Sequence, residues 1–450
     1  MYFGLLTTHL EIFFVSLLVI VAAAFMLQQR RSPQSTAAWL LALVVGPYVA
    51  VPIFVAVGFR KRPGQENAIT FREVDALEPV NRVDRTLRSY GLPPAATGHT
   101  FDLHESPAAA RDAVHRLIAE AEGQIDALFY LVARDAEGRA FIDALTARAK
   151  DGVRVRLLMD RLGSLFPPHR ELRRFKDAGG TVEFFSPFVQ TPRRGHLNLR
   201  NHRKMLIADD RVVYAGGRNV GDEYLTPQDP VWTDLSFTLT GPAVRSFTDV
   251  FESDWSGVGG VTREHHRTGA DEGTCVAQLV ASGPDLPHDG FHDTLVNAIH
   301  HATDRVWIVT PYFLPTDGQS EALAIAARRG VDVTLVLPRR SNQRTADFAR
   351  GAYLRELQAA GGKILLYEDG MIHAKTGLVD GTAYIGSTNF DVRSMLLNFE
   401  NALIVHDAQS VTQLADWFSR QTKQCSEGLK EHGVLRRIAE GFFRIGAPML

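Results

Sequence analysis

The sequence predicts an α/β protein made of two repeated α/β/α domains, preceded by two transmembrane helices. Three observations support this prediction. The first 60 residues contain two long uncharged stretches, the rest of the chain repeats one order of strand and helix patterns, and the motif HxKxxxxD occurs once in each repeat. At 450 residues the chain is long enough for two domains and an additional segment.

The composition narrows the class of function. The formal net charge is −2, so the chain has no general attraction for nucleic acid. Two cysteines, Cys275 and Cys425, are too few for a disulfide framework, and they do not indicate a redox compartment. Apolar residues make up 45% of the chain and are concentrated near the N-terminus.

Two apolar segments predict a membrane anchor over residues 1–62. They cover about 10–27 and 37–59, and crossing the hydrocarbon core takes about 20 apolar residues. Pro47 and Pro52 interrupt the second segment, so a kinked or re-entrant helix is the alternative to a straight span.

The charged residues near these segments indicate whether the first segment is cleaved as a signal peptide and how the chain is oriented in the membrane. A secretory signal peptide is the alternative for the first segment, but its N-terminal region carries Glu11 and no Lys or Arg. Arg30 and Arg31 lie between the segments, and more basic residues follow the second one: Arg60, Lys61, Arg62 and Arg72. By the positive-inside rule, the C-terminal part is expected in the cytoplasm.

The rest of the chain divides into a polar connector, 63–100, and two domains, 101–262 and 263–450. Residues 125–160 and 306–338 share one pattern, in which a buried strand, an amphipathic helix and a glycine turn precede a second strand. This order predicts a right-handed βαβ unit with parallel strands in each domain.

Each repeat then continues with a helix that ends at a glycine pair, another strand, and a β-hairpin that carries the motif. In the second repeat the Asp-Gly pair at 380 and 381 predicts the tight turn. His373 and Lys375 are two residues apart on the incoming strand, so they are expected on one face, with Gly386 opposite them. Glycine there leaves room for a group the size of phosphate.

The candidate catalytic set consists of the two motifs, and the candidate phosphate-binding residues are the asparagines that follow them. Taken in chain order, these are His202, Lys204, Asp209, Asn219, His373, Lys375, Asp380 and Asn389. A single histidine beside a strand is more often structural, but two matching copies favour a site. The two aspartates lie at the turns, so they are expected to hold the hairpins without touching substrate. Lysines facing the same side disfavour a metal site.

The motifs HRKMLIAD and HAKTGLVD, followed by GGRN and GSTN, resemble those of the phospholipase D superfamily. The phrases TPYFLP, RRGVDVTLVLP and DVRSMLLNFE, together with the anchor, resemble bacterial cardiolipin synthases over nearly the whole chain. The resemblance implies two halves packed about a pseudo-twofold axis, a multi-pass protein of the bacterial inner membrane, and no cofactor.

It also implies a mechanism in which one histidine attacks phosphorus and the other protonates the leaving alcohol. The lysines and asparagines of the motifs would hold the phosphate oxygens. Asp234 and Glu400 are the candidates to orient the histidines. The sequence does not distinguish which histidine is the nucleophile, and we favour His202.

The repeats differ in two places. An insert before His202 carries Arg193, Arg194 and Arg200, which either meet an anionic head group or belong to a solvated loop. Gly217 stands where the second repeat has Ser387, which puts a serine contact to phosphate in doubt in the first repeat.

The expected function is therefore synthesis of cardiolipin from two phosphatidylglycerol molecules with release of glycerol, at a membrane. Hydrolysis of phospholipids is the alternative within the same chemistry, and a membrane scaffold with an inactive site is the non-enzymatic alternative. A nuclease is disfavoured by the charge balance and the anchors. The sequence carries no signal for an oligomeric state.

Overall fold

The computed structural model describes residues 2–27, 33–58, 69–72, 78–186, 198–227, 232–263, 273–429 and 433–445. The basic residues Arg30, Arg31 and Arg60 to Arg62, the inserted Arg193 and Arg194, and the C-terminal residues 446–450 lie outside this part.

The helices described, in chain order, are α1 Tyr2–Leu27, α2 Pro33–Val45, α3 Pro47–Val57, α4 Arg82–Ser89, α5 Pro107–Glu120, α6 Ala136–Lys150, α7 His169–Asp177, α8 Asp222–Leu225, α9 Val244–Gly257, α10 Gly290–His301, α11 Asp317–Arg328, α12 Arg344–Ala359, α13 Val392–Leu396, α14 Ala408–Thr422 and α15 Val434–Ile445.

The strands described, in chain order, are β1 Ala96–Gly98, β2 Thr100–His104, β3 Gln124–Phe129, β4 Arg154–Asp160, β5 Thr181–Phe185, β6 Met205–Ala208, β7 Val212–Gly216, β8 Trp232–Thr233, β9 Ser236–Thr240, β10 Gly273–Ser282, β11 Arg305–Val309, β12 Phe313–Leu314, β13 Asp332–Pro338, β14 Lys363–Tyr367, β15 Met371–Ile372, β16 Thr376–Val379, β17 Thr382–Gly386, β18 Phe390–Asp391, β19 Glu400–Val405 and β20 Cys425–Glu427.

Of the two expected transmembrane segments, only the first forms a helix of sufficient length and apolar character in the described residues. Within α1, His9–Leu27 is long and apolar enough to cross a membrane. The second segment is broken at Gly46, because Pro47 lacks an N–H and begins a new helix. The straight form of this segment is therefore not observed, and its crossing of the membrane remains a prediction.

The two halves of this second segment fold back on each other. The ring centroids of Trp39 and Phe54 are 5.3 Å apart, whereas 15 residues of a continuous helix would separate them by about 22 Å. Phe54 also belongs to a small core with Ala22 and Met26 of α1. The segment is therefore a helical hairpin packed against α1.

Each repeat forms one mixed sheet. The first sheet has seven strands in the order β2-β9-β7-β6-β3-β4-β5, and the second has nine in the order β1-β10-β19-β17-β16-β11-β13-β14-β20. Strands β3, β4 and β5 are parallel neighbours, as are β11, β13 and β14. The predicted βαβ units are thus confirmed in both repeats, with α6 and α11 as the crossover helices.

The helices following these units end as the glycine pairs predict. Gly179 after α7 has φ +94° and Gly361 after α12 has φ +101°, values that favour glycine. In each case the next strand runs parallel to the one before the helix.

Three apolar layers organise the body. Helices α5 to α7 cover the outer face of the first sheet, and α10 to α12 cover that of the second. Between the sheets lies a shared core, to which α9 contributes Phe247 and Phe251 and α14 contributes Trp417. The predicted α/β/α fold is confirmed, and the two repeats pack through their inner faces.

The described part of the connector is folded rather than purely linking. Helix α4 packs against α10, and strand β1 pairs with β10 at the edge of the second sheet. Asn81 caps α4 by accepting a hydrogen bond from the backbone of Asp84. The domain boundaries 101–262 and 263–450 remain predictions.

Candidate active site

Both histidines of the motifs lie immediately before a hairpin. Strand β6 begins three residues after His202, and β16 begins three residues after His373. The expectation that His373 and Lys375 belong to the incoming strand was therefore wrong. The physical reason is that the backbone here bonds to the other repeat: His202 N donates to Phe399 O at 2.8 Å, and His373 N donates to Thr233 O at 2.7 Å.

The hairpins themselves agree with the predicted register. Strands β16 and β17 are joined by Asp380 and Gly381, and Gly386 N donates to Lys375 O at 3.1 Å. In the first repeat, Met205 pairs with Ala215, which places Lys204 opposite Gly216. Glycine therefore faces the lysine in both repeats.

The carboxylate beside each histidine comes from the opposite repeat. Nδ1 of His202 lies 3.0 Å from both carboxylate oxygens of Glu400. Nδ1 of His373 lies 2.7 Å from Oδ2 of Asp234. Glu400 and Asp234 are fully buried. Glu400 is the first residue of β19, and Asp234 lies two residues before β9. Because each carboxylate contacts the histidine of the other repeat, this exchange of carboxylates joins the two repeats at the site.

Burial sets the charge of the imidazoles. Burial and the neighbouring Lys375 ammonium lower the pKa of His373 to about 3, although Asp234 opposes the shift. Burial also lowers the pKa of His202, against the opposing effect of Glu400. A carboxylate beside Nδ1 favours the tautomer that carries the proton on Nδ1 and the lone pair on Nε2. At His373, Nζ of Lys375 also lies 2.7 Å from Nδ1.

The two lysines are buried within the same cluster of charges. Burial lowers the pKa of Lys204 to about 7 and that of Lys375 to about 8. Nζ of Lys204 donates to the carbonyl of His202 at 2.5 Å, and Nζ of Lys375 lies 3.1 Å from Nε2 of His373. Both ammonium groups interact electrostatically with Asp234 and Glu400, which shows that the motifs converge.

The two asparagines have unused hydrogen-bonding capacity. Asn219 is 3% exposed and Asn389 is 6% exposed. In both, Oδ1 is buried without a hydrogen-bond partner in the part of the chain described. An unsatisfied buried amide is costly, so these side chains are suited to a bound polar group.

The motif aspartates bind backbone instead of facing the histidines. Asp209 accepts hydrogen bonds from the backbone N–H groups of residues 122–124, and Asp380 does so from those of residues 303–305. Each carboxylate thus ties the hairpin turn to the start of the neighbouring strand. The geometry indicates a structural role for both aspartates within the motif.

Aromatic rings pack beside both histidines, and sequence reasoning missed them. The ring of Tyr130 lies 5.0 Å from that of His202, and the rings of Tyr224 and Trp232 lie 5.6 and 5.3 Å from that of His373. Trp232 stands two residues before Asp234, a proximity that could have drawn attention to it.

Sequence reasoning also missed Arg203, the residue between His202 and Lys204. Its side chain is fully buried, bonds both carboxylate oxygens of Asp254 at 2.8 Å, and reaches Asp285 at 3.1 Å. It ties the first motif to the second repeat. The second motif has Ala374 at the matching position, which would have signalled the asymmetry.

Three residues at which the repeats differ contact carboxylates of the site or its surroundings. Arg200 of the insert is buried beside Asp160, with 3.3 Å between Nη1 and Oδ1. Ser387 directs its hydroxyl at Glu400. Gly217 lies against Asp234, where a Cβ would be 2.2 Å from Oδ1.

The described residues offer no group of three His, Cys, Asp or Glu side chains arranged to hold a metal ion. What the site does offer is two imidazoles, two lysine side chains and two amides, contributed by two similar repeats. This combination suits nucleophilic attack on a phosphodiester whose oxygens are held by cations and amides. The fold and the site thus define a two-domain enzyme of the phospholipase D type.

Comparison with known proteins specifies the family. The profile of the family described as cardiolipin synthase, PLD-like domain, matches residues 114–255 and 295–422. Cardiolipin synthase 1 of Bacillus cereus is 32% identical over 94% of this chain and 90% of its own length. The major cardiolipin synthase of Bacillus subtilis is 30% identical over 98% of each chain. The chain belongs to the cardiolipin synthase family of phospholipase D-like enzymes.

A solved structure with the same fold is the phosphatidylserine synthase of Haemophilus influenzae. It matches with a TM-score of 0.62 over 82% of this chain and 100% of its own, at 14% identity. At that identity the likeness supports the fold alone.

Proposed function

We propose that this enzyme transfers a phosphatidyl group from one phosphatidylglycerol to another, making cardiolipin and releasing glycerol. The family and its named relatives support cardiolipin synthesis. The single observation that carries the chemistry is the exchange of carboxylates, which places His202 with Glu400 and His373 with Asp234 across one interface. Two oriented imidazoles allow two successive displacements at one phosphorus.

In the first displacement, Nε2 of His202 attacks phosphorus and the bond from phosphorus to the glycerol head group breaks. His373 donates a proton to the departing glycerol oxygen. The products are a phosphatidyl-histidine and free glycerol. The attacking role suits His202, because its Nε2 has no hydrogen bond in the described structure and Nδ1 is held by Glu400.

In the second displacement, His373 accepts the proton of a glycerol hydroxyl from the second phosphatidylglycerol. The oxygen attacks phosphorus, the bond to His202 breaks, and cardiolipin leaves. His373 must hold a proton during the first step. The phosphodiester anion would supply a negative charge nearby, which raises the pKa of both histidines above their values in the empty site.

The remaining site residues hold the phosphate. Lys204 and Lys375 would neutralise the non-bridging oxygens, and Asn219 and Asn389 would donate amide N–H groups to them. An amide with an unpaired Oδ1 can rotate to present its nitrogen. No step requires a metal or an organic cofactor.

We further propose that the enzyme resides in the bacterial inner membrane with its catalytic repeats in the cytoplasm. The membrane association is supported by α1, with its segment His9–Leu27. The lipid substrate then lies in the same bilayer as the anchor.

The decisive experiment uses the purified full chain in mixed micelles with phosphatidylglycerol as the sole phospholipid. Cardiolipin, phosphatidic acid and glycerol are quantified together by mass spectrometry. Equal amounts of cardiolipin and glycerol are expected, with both lost in His202→Ala and His373→Ala. The matched control is His301→Ala, at an exposed histidine bonded only to its own helix. Phosphatidic acid without cardiolipin would instead establish hydrolysis.

The covalent intermediate has its own test. Phosphatidylglycerol labelled in the phosphatidyl group is mixed with enzyme, the reaction is quenched, and the protein is digested. Label is expected on the peptide that contains His202. Label on the peptide that contains His373 would reverse the two histidine roles, and turnover without any labelled peptide would contradict the two-step scheme.

A further inference from the structure

The apolar helical hairpin formed by α2 and α3 has an unusual surface. At its bend, Val44, Val45 and Tyr48 are 71 to 76% exposed, although they are apolar or aromatic. Such a cluster at the tip of two short helices is unfavourable in water. The neighbouring α1 contains a segment that is long and apolar enough to cross a membrane. The exposed tip of the hairpin is therefore suited to the hydrocarbon of the same membrane.

We propose that α2 and α3 form a re-entrant hairpin, which enters one leaflet of the bilayer and leaves on the same side, beside the single span α1. The 13 residues of α2 reach about 20 Å, which is more than half of a hydrocarbon core of about 30 Å but less than all of it. The fold-back of Trp39 onto Phe54 excludes a single crossing by these two helices together.

The bend meets the requirement that backbone groups be paired inside hydrocarbon. Gly46 N donates to Ala42 O at 2.9 Å, and Val49 N and Ala50 N donate to Gly46 O at 3.1 and 2.8 Å. Pro47 has no N–H to satisfy. Because hydrogen bonds continue through the turn, the hairpin can lie within the bilayer without a row of unpaired donors.

The distribution of charge agrees with this arrangement. Arg30 and Arg31 precede α2, and three more basic residues follow α3: Arg60, Lys61 and Arg62. Two spans would place these groups on opposite faces of the membrane. A re-entrant hairpin places all five on one face, and residues 1–8 on the other side of the span contain no Lys or Arg, as the positive-inside rule favours.

This topology reverses the position of the N-terminus. With one span and a re-entrant hairpin, the part of α1 before His9 faces the periplasm and the body that begins near α4 faces the cytoplasm. With two spans, the part of α1 before His9 would face the same side as the body, and the start of α2 would face the periplasm.

Single cysteines distinguish the two arrangements in the full chain. The background carries Cys275→Ser and Cys425→Ser, and sealed spheroplasts are treated with a membrane-impermeant maleimide. Thr7→Cys, before most of α1, is expected to be labelled in sealed spheroplasts. Ser35→Cys, near the start of α2, and Ser89→Cys, at the end of α4, are expected to react only after lysis.

The reverse pattern, with Ser35→Cys labelled in sealed spheroplasts and Thr7→Cys protected, would establish two spans and overturn the proposal. Labelling of Ser89→Cys from outside would overturn the cytoplasmic position of the body. As a check on the fold, each variant should unfold at the same temperature as the wild type. Since no turnover is measured, the result is independent of the proposed reaction.

Discussion

The hydroxyl of Ser387 donates a hydrogen bond of 2.5 Å to Oε2 of Glu400. The matching pair in the first repeat is built differently, because Gly217 leaves the space that the Asp234 carboxylate occupies. Glutamate has one more methylene than aspartate, and the serine fixes its carboxylate. The shorter aspartate instead fits against glycine. The two halves of the site therefore position their histidines by different means.

The first prediction is that Gly217→Ser strongly reduces turnover. A Cβ at this position would lie 2.2 Å from Oδ1 and 2.9 Å from Cγ of Asp234, so the carboxylate must move away from His373. We expect kcat to fall by about 100-fold, a loss typical of disturbing a partner that orients a functional histidine.

The counterpart is Ser387→Ala, which removes one hydrogen bond and causes no collision. A loss of about tenfold or less in kcat is expected, in keeping with roughly 1 kcal/mol for a hydrogen bond. Steady-state kinetics with phosphatidylglycerol measures both variants. If Gly217→Ser were as active as the wild type, the close packing of Gly217 on Asp234 would have no functional importance.

The second prediction concerns the exchanged carboxylates. Glu400→Gln and Asp234→Asn keep the size of each side chain but remove the charge that holds the Nδ1–H of the histidine. We expect kcat to fall by about 10³-fold in each, because the wrong tautomer and a less stable imidazolium both raise the barrier.

The matched control for these variants is Glu105→Gln, whose carboxylate pairs with Arg420 at the surface. It should have the kcat of the wild type. A fall in Glu400→Gln no larger than that in the control would show that His202 does not depend on this partner.

The third prediction is an alkaline limit on kcat/KM. Burial lowers the pKa of Lys204 to about 7 and that of Lys375 to about 8, so the free enzyme loses these cations as the pH rises. If the cations bind phosphate, kcat/KM should fall above pH 7 to 8. A bound phosphodiester raises the pKa of lysine, so the limit in kcat should lie at higher pH.

Two variants test the origin of this limit. Lys375→Met should abolish turnover, because it removes the cation. It should also lower the unfolding temperature, because the buried Asp234 carboxylate loses its main compensating cation. Lys363→Met is the control, since Lys363 pairs with Asp332 at the surface. A near-normal rate in Lys375→Met would remove this lysine from the mechanism.

The fourth prediction separates Asp380 from catalysis. Its carboxylate accepts hydrogen bonds from three backbone N–H groups, and its φ of +49° is one that asparagine tolerates. Asp380→Ala should lower the free energy of unfolding by about 1 to 3 kcal/mol. Asp380→Asn, which keeps the turn conformation and one acceptor oxygen, should cost less.

The pH dependence of stability supplies a second readout. Burial raises the pKa of Asp380, but the backbone hydrogen bonds outweigh it, so the pKa lies below its ordinary value. The stabilisation is therefore complete above about pH 4 and is lost as the pH falls through the lowered pKa. The free energy of unfolding of Asp380→Asn should lack this dependence on pH. An Asp380→Asn variant that kept its stability but lost turnover would place the aspartate in the chemistry.

Local patterns were enough for much of this architecture. The βαβ units around α6 and α11, the glycines that end α7 and α12, and the turn at Asp380 depend on interactions between residues close in sequence. The paired motifs likewise marked His202 and His373 as the candidate site. Where local reasoning failed, distant contacts decided the structure. His373 lies outside β16, and its backbone N–H donates to Thr233 O instead. The second apolar segment turns back at Gly46 and packs on α1.

The sequence by itself determined the repeated fold, the family and the residue types of the site, because periodicity, turn chemistry and short motifs are encoded in neighbouring positions. Only the tertiary structure decided which carboxylate serves which histidine. His202 and Glu400 are 198 residues apart, and His373 and Asp234 are 139 apart. Their pairing depends on how the repeats pack about their inner faces, and a one-dimensional pattern does not contain that arrangement.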